Sequence, residues 1–101
     1  MANPQLENGH TQIANEILDH LMQSRLSMNQ WQVVICIIRK TYGYRKKDDY
    51  ITNSQIVDAT GINKCHISRA VKNLLLMNIL VKQGKIIGLQ KDWEKWMELF
   101  F

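Results

Sequence analysis

The 101-residue chain is poor in the residues that break regular structure, with five Gly and one Pro. That scarcity excludes collagen-like and low-complexity classes. With 46% hydrophobic residues it is also too apolar for a disordered segment. It has no uninterrupted apolar run of membrane-spanning length, so no membrane partner is expected. Residues 1–10 carry neither a basic end nor an apolar core, so they do not read as a secretory signal. Cysteine is scarce as well. Cys36 and Cys65 are far apart, form no CxxC, and have no His at metal-ligand spacing. The expectations are a reducing cytoplasm, two free thiols, and no metal or other cofactor. Also missing are a paired-carboxylate motif, a Gly-rich phosphate loop and a Ser/His/Asp signature, so the chain does not read as an enzyme. Its length suits one domain with one modest core.

What is present is basic charge, unevenly spread. The net charge is +4 overall. Residues 59–91 hold Lys64, Arg69, Lys72, Lys82, Lys85 and Lys91 and not one acid. The segments on either side, 39–58 and 92–101, both contain carboxylates, and residues 1–38 carry more acid than base. A one-sign stretch with helical periodicity points to a polyanion partner, whereas scattered charge would read as a solvated face.

The apolar spacing predicts a first helix over about 12–24, carrying Ile13, Ile17, Leu18, Leu21 and Met22, with Thr11 as N-cap. Ser27-Met-Asn-Gln30 is a capping box. It opens a strongly apolar helix that ends at Gly43, with Trp31, Val34, Ile35 and Ile38 on one face, Val33 and Ile37 beside them, and Cys36 buried. Residues 44–49 read as a polar loop and Tyr50-Ile51 as a short strand. Thr52-Asn-Ser-Gln55 is a second capping box and starts a short helix with Ile56, Val57 and Ala59, closed by Gly61. Asn63 then caps a helix over 64–77 whose inner face is Ile67, Ala70, Val71 and Leu74. Ile79–Val81 and Ile86–Leu89 flank a turn at 82–85 and form a hairpin. Asp92 starts a last helix with Trp93, Trp96, Met97 and Phe100.

A short helix, a glycine turn, a second capped helix and a hairpin predict a winged helix-turn-helix, mainly α with a small β-hairpin. Residues 1–10 form an arm, 11–91 the DNA-binding domain, and 92–101 an amphipathic helix or the start of a linker. On a helical wheel Cys65, Arg69, Lys72 and Leu76 point outward, flanked by His66, Ser68 and Asn73. Arg69 suits guanine through its planar fork, and Asn73 suits adenine. Lys72, Lys82 and Lys85 suit phosphate, and Asn63, Lys64, Cys65, His66, Ser68 and Gln83 are candidate contacts beside them. Ser54 and the loop residues Arg45 and Lys46 complete the candidate set, the loop reaching a flanking phosphate. His66 reads equally as an ordinary surface histidine. Leu76 is expected under the Trp93/Trp96/Phe100 face or under a second subunit.

Particular runs resemble a known family. Ala2-Asn-Pro-Gln-Leu-Glu-Asn-Gly9, Thr11 and Ile13-Ala-Asn-Glu16 resemble the start of the bacteriophage replication protein O family, the lambda-type origin-binding initiators. So do Ile38-Arg-Lys-Thr-Tyr-Gly-Tyr-Arg-Lys-Lys-Asp48, Ile51-Thr52 and Ser54-Gln55. Thr60-Gly-Ile with Ile67-Ser-Arg-Ala70 is shared more widely among winged-helix regulators. The resemblance covers roughly residues 2–93. It implies a winged helix that binds repeated origin sites in double-stranded DNA, usually as a homodimer, inside the bacterial host cell. It puts Lys64, His66, Ser68, Arg69 and Lys72 on the recognition helix. In that family a separate C-terminal region recruits the replicative helicase machinery. It lies outside these 101 residues, so helicase loading is not expected of them. A winged-helix transcription regulator and a winged-helix protein-interaction module remain the alternatives on residue pattern alone.

Overall fold

The computed structural model describes residues 1–97. Four helices and three strands follow in the order α1 (Asn15–Gln23), α2 (Met28–Thr41), β1 (Asp48–Tyr50), α3 (Asn53–Thr60), α4 (Lys64–Leu76), β2 (Leu80–Gln83) and β3 (Ile86–Leu89). The fold is mainly helical with one small antiparallel sheet in the order β1-β3-β2.

Local chemistry starts three of the helices. Ser27 and Thr52 each accept from the backbone of the third helical residue, and Gln30 and Gln55 each return a bond to the cap backbone. Both capping boxes therefore form, as their residue types require. Asn63 caps α4 by accepting from the Cys65 amide. α1 departs from expectation. It begins at Asn15 behind Ala14, which has no side chain to cap it, so Thr11 is not the N-cap.

The core gathers Ile17 and Leu21 from α1, Val33, Val34 and Ile37 from α2, Ile56 from α3, Ile67 and Leu74 from α4, and Leu80, Ile87 and Leu89 from the sheet. Each such side chain contributes about 1.5–3 kcal/mol when fully buried. The predicted inner face of α4 is all buried. The face of α2 is partly rotated: Val33, Val34, Cys36, Ile37 and Thr41 are buried, while Ile35 is 58% exposed. Ala59 is also exposed, on the outside of α3. A wholly apolar run gives no internal marker of which side faces in, so the choice falls to packing against α3 and α4.

Three further expectations are corrected. Gly43 does not end α2. The helix tightens into a 3-10 turn over Tyr42–Tyr44, and Arg45 takes the left-handed position at φ 59°. The amides of Arg45 and Lys46 satisfy the carbonyls of Tyr42 and Thr41 there. The strand expected at Tyr50-Ile51 lies instead at Asp48–Tyr50, inside the supposed loop, and makes the sheet three-stranded. Asp-Asp-Tyr has no strand pattern of its own; pairing with β3 imposes it. That pairing needs Gly88, because a Cβ there would collide with the Lys47 carbonyl oxygen and stand 2.8 Å from the Asp48 Cβ.

Within the described residues the predicted last helix shows one 3-10 turn at Trp93–Lys95, capped by Asp92 as expected. Tertiary bonds replace helical ones. Trp93 stacks on His20 of α1, with ring centroids 3.6 Å apart, and donates to Glu16 at 2.7 Å. Trp96 donates to the Gln90 carbonyl, and the Met97 amide to that of Met77. Phe100 lies outside the described residues.

Candidate nucleic-acid interface

The α3–α4 connection is three residues long. Gly61 sits at φ 74° and its amide bonds the Val57 carbonyl, closing α3. A side chain at that φ would be strained, which suits glycine. Asn63 then restarts the chain in α4. Asn53, at the head of α3, donates to Ser68 Oγ at 3.3 Å and ties the two helices on their outer side.

Because Ile67, Ala70, Val71 and Leu74 are committed to the core, the rest of α4 is thrown outward. Lys64, Cys65, His66, Ser68, Arg69 and Lys72 are all exposed, as is the cap Asn63, and Asn73 is half-buried. Lys82, Gln83 and Lys85 are exposed at the hairpin, whose two-residue turn is Gly84-Lys85. Gly84 has a φ of 63° and Lys85 does not, as in a type II′ turn. Ser54 is exposed at the start of α3. Among the described residues the one ion pair is Lys46–Asp49, so no carboxylate neutralises the cations of α4 and the hairpin.

Sequence reasoning missed the first turn of α2. Ser27, Asn29 and Gln30 border a shallow recess of about 210 Å³ together with His66, Arg69 and Asn73 of α4. The capping box announced a helix start, but nothing local said that it would lie beside α4.

Two placements around this face depend on tertiary structure. Arg45 and Lys46 do not join it. β1 runs antiparallel to β3, with Asp48 opposite Gly88 and Tyr50 opposite Ile86. The loop before Asp48 is therefore at the end of the sheet away from the hairpin turn. Lys85 and Leu89 are four residues apart along the strand, about 13 Å at ~3.3 Å per residue. Leu76 is 54% exposed, and Trp93 turns to α1 and stacks on His20.

Cys36 and Cys65 are both free, Cys36 buried and Cys65 exposed. Burial pushes the Cys36 thiol above its ordinary value, with the Lys40 charge pulling weakly the other way. Among the described residues no three His, Cys, Asp or Glu side chains gather as a metal site would require.

The molecule is thus a small helical domain with a bare basic helix beside a basic hairpin. Comparison with known proteins gives it a family. The chain matches the family described as Bacteriophage replication protein O over residues 2–96, and it belongs to that family. It is 41% identical over 96 residues to Replication protein 15 of Enterobacteria phage phi80, an alignment covering 91% of this chain and 32% of that protein. To DNA replication protein gp18 of Salmonella phage P22 it is 37% identical over 92 residues, covering 91% and 34%. To Replication protein O of Escherichia phage lambda it is 33% identical over 91 residues, covering 90% and 27%. The chain spans about a third or less of the length of these curated relatives. No solved structure matches it.

Proposed function

We propose that these residues are the sequence-specific, double-stranded DNA-binding domain of a phage replication initiator, a winged helix-turn-helix that recognises repeated sites in the replication origin. The observation that carries this reading is the acid-free stretch 59–91, which presents five of its six cations outward on α4 and the hairpin with no internal ion pairs. α4 is 13 residues long, or ~20 Å at 1.5 Å per residue, and about 10–12 Å wide with its side chains, which a major groove admits. With α4 in the groove, Arg69 reads a guanine edge, and Asn73 an adenine. Lys64, Lys72, Lys82 and Lys85 hold phosphates, and Asn63, Cys65, His66, Ser68, Gln83 and Ser54 line the same approach. Arg45 and Lys46, at the other end of the sheet, stay outside it.

The names of the relatives, all replication proteins, support the role in replication over one in transcription. The exposed Leu76 supports a second copy beside the first on DNA. Recruitment of the replicative helicase would fall to a region beyond these residues. The role needs no catalysis, no cofactor and no membrane, and the site of action is the host cytoplasm. No described helix is long and apolar enough to cross a membrane.

The test is an anisotropy titration against the origin repeats of the encoding phage, with scrambled duplex as control. The expected result is tighter binding to the repeats, with Arg69→Ala losing ~1–3 kcal/mol of that discrimination. Equal affinity for both duplexes at moderate salt refutes origin recognition.

A further inference from the structure

The cations excluded from the α4 face form a site of their own. Arg45, Lys46, Lys47 and Lys91 surround a recess of about 490 Å³ whose floor includes Ile13 and Tyr42. No carboxylate lines it. Lys46 is paired at 3.5 Å with Asp49, and both side chains are well exposed, so that pair neutralises little. α1 starts at its rim behind Ala14, which leaves the first-turn amides without a side-chain cap. The positive end of that helix adds to the field of the four cations, partly offset by Glu16 in its first turn. The Tyr42 hydroxyl is buried with no hydrogen-bond partner among the described residues.

We propose that this recess docks a short acidic segment of a partner protein, with its carboxylates on the four cations and an apolar side chain on the floor. Charge complementarity selects an anion. The concave apolar floor favours a peptide over a DNA backbone, which offers only phosphate and sugar there. Position adds to this. The recess lies beyond the far end of β1 from the hairpin turn, and a stiff duplex held along α4 does not curve around to it. The domain can therefore hold such a segment while its other end holds DNA. This inference does not depend on DNA binding by α4.

The experiment is amide NMR on the full 101-residue chain. One probe is a synthetic octapeptide of alternating Glu and Leu. The second is its twin with every Glu replaced by Gln, and the third is a short random-sequence DNA duplex. The expected result is that the acidic peptide shifts amides in 13–17, 42–47 and 91, that the Gln twin does not, and that the duplex shifts α4 and the hairpin instead. Lys47→Glu with Lys91→Glu, checked for folding by its unchanged amides elsewhere, weakens peptide binding by about tenfold or more. Lys91→Gln, which only neutralises, gives a smaller loss. The proposal is overturned if the duplex shifts the recess residues, if the twin binds as well as the acidic peptide, or if the acidic peptide leaves the recess unmoved.

Discussion

Salt is the most direct probe of the α4 and hairpin face. Four lysines there, Lys64, Lys72, Lys82 and Lys85, are exposed and free of ion pairs among the described residues. If all four sit on phosphates, the logarithm of the binding constant falls with the logarithm of salt concentration with a slope of about −3.6 per domain, from ~0.9 per neutralised phosphate. Between 50 and 200 mM salt, affinity then drops ~150-fold. Lys85→Ala removes one contact, which brings the slope to about −2.7 and the drop to ~40-fold. Lys46→Ala, at the far end of the sheet, leaves the slope unchanged. Anisotropy titrations at four salt concentrations, on wild type and both variants, supply the slopes. A wild-type slope shallower than about −2 refutes the assignment of these lysines to phosphate. A loss of slope in Lys46→Ala equal to that in Lys85→Ala refutes the separation of the two basic regions.

Other consequences concern stability and thiol chemistry. Gly88→Ala forces a Cβ into the backbone of Lys47 and Asp48, so β1 shifts off β3 at a cost of ~1–3 kcal/mol or more, read by urea denaturation. A wild-type midpoint shows the close approach to be slack. Ser27→Ala and Thr52→Ala each remove one capping box and cost about 1 kcal/mol, a fall of roughly 4–8 °C in Tm. An Ellman titration of native protein near pH 8 counts one fast thiol, Cys65, and denaturant releases Cys36 as the second. Two fast thiols in the native state contradict the packing of α2. Burial raises Cys36 above 9.0 and Tyr42 above 10.0. The unfolded chain therefore releases these protons first, and stability present below about pH 9 is lost as pH rises through the folded values. Urea melts at pH 8 and pH 10.5 check that direction.

Much of the candidate face was legible from residues alone, because its determinants are local. Capping boxes at Ser27 and Thr52, the left-handed glycine at Gly61 and the Asn63 cap are decided within four residues. The spacing of Ile67, Ala70, Val71 and Leu74 sends Arg69 and Lys72 outward wherever the helix packs. The family resemblance also rests on linear runs, and the family match spans residues 2–96. Tertiary structure decided what depends on partners distant in sequence. β1 exists because β3 has a free edge and Gly88 admits the Lys47 carbonyl, not because Asp-Asp-Tyr favours a strand. Residues 92–97 leave the helical pattern because Trp93 gains a stack on His20 and a bond to Glu16, 77 positions away. Above all, Arg45 and Lys46 resemble the other cations in composition and charge. The antiparallel register of one short strand carries them to the end of the sheet away from the hairpin turn, because pairing, unlike charge, is a property of two segments at once.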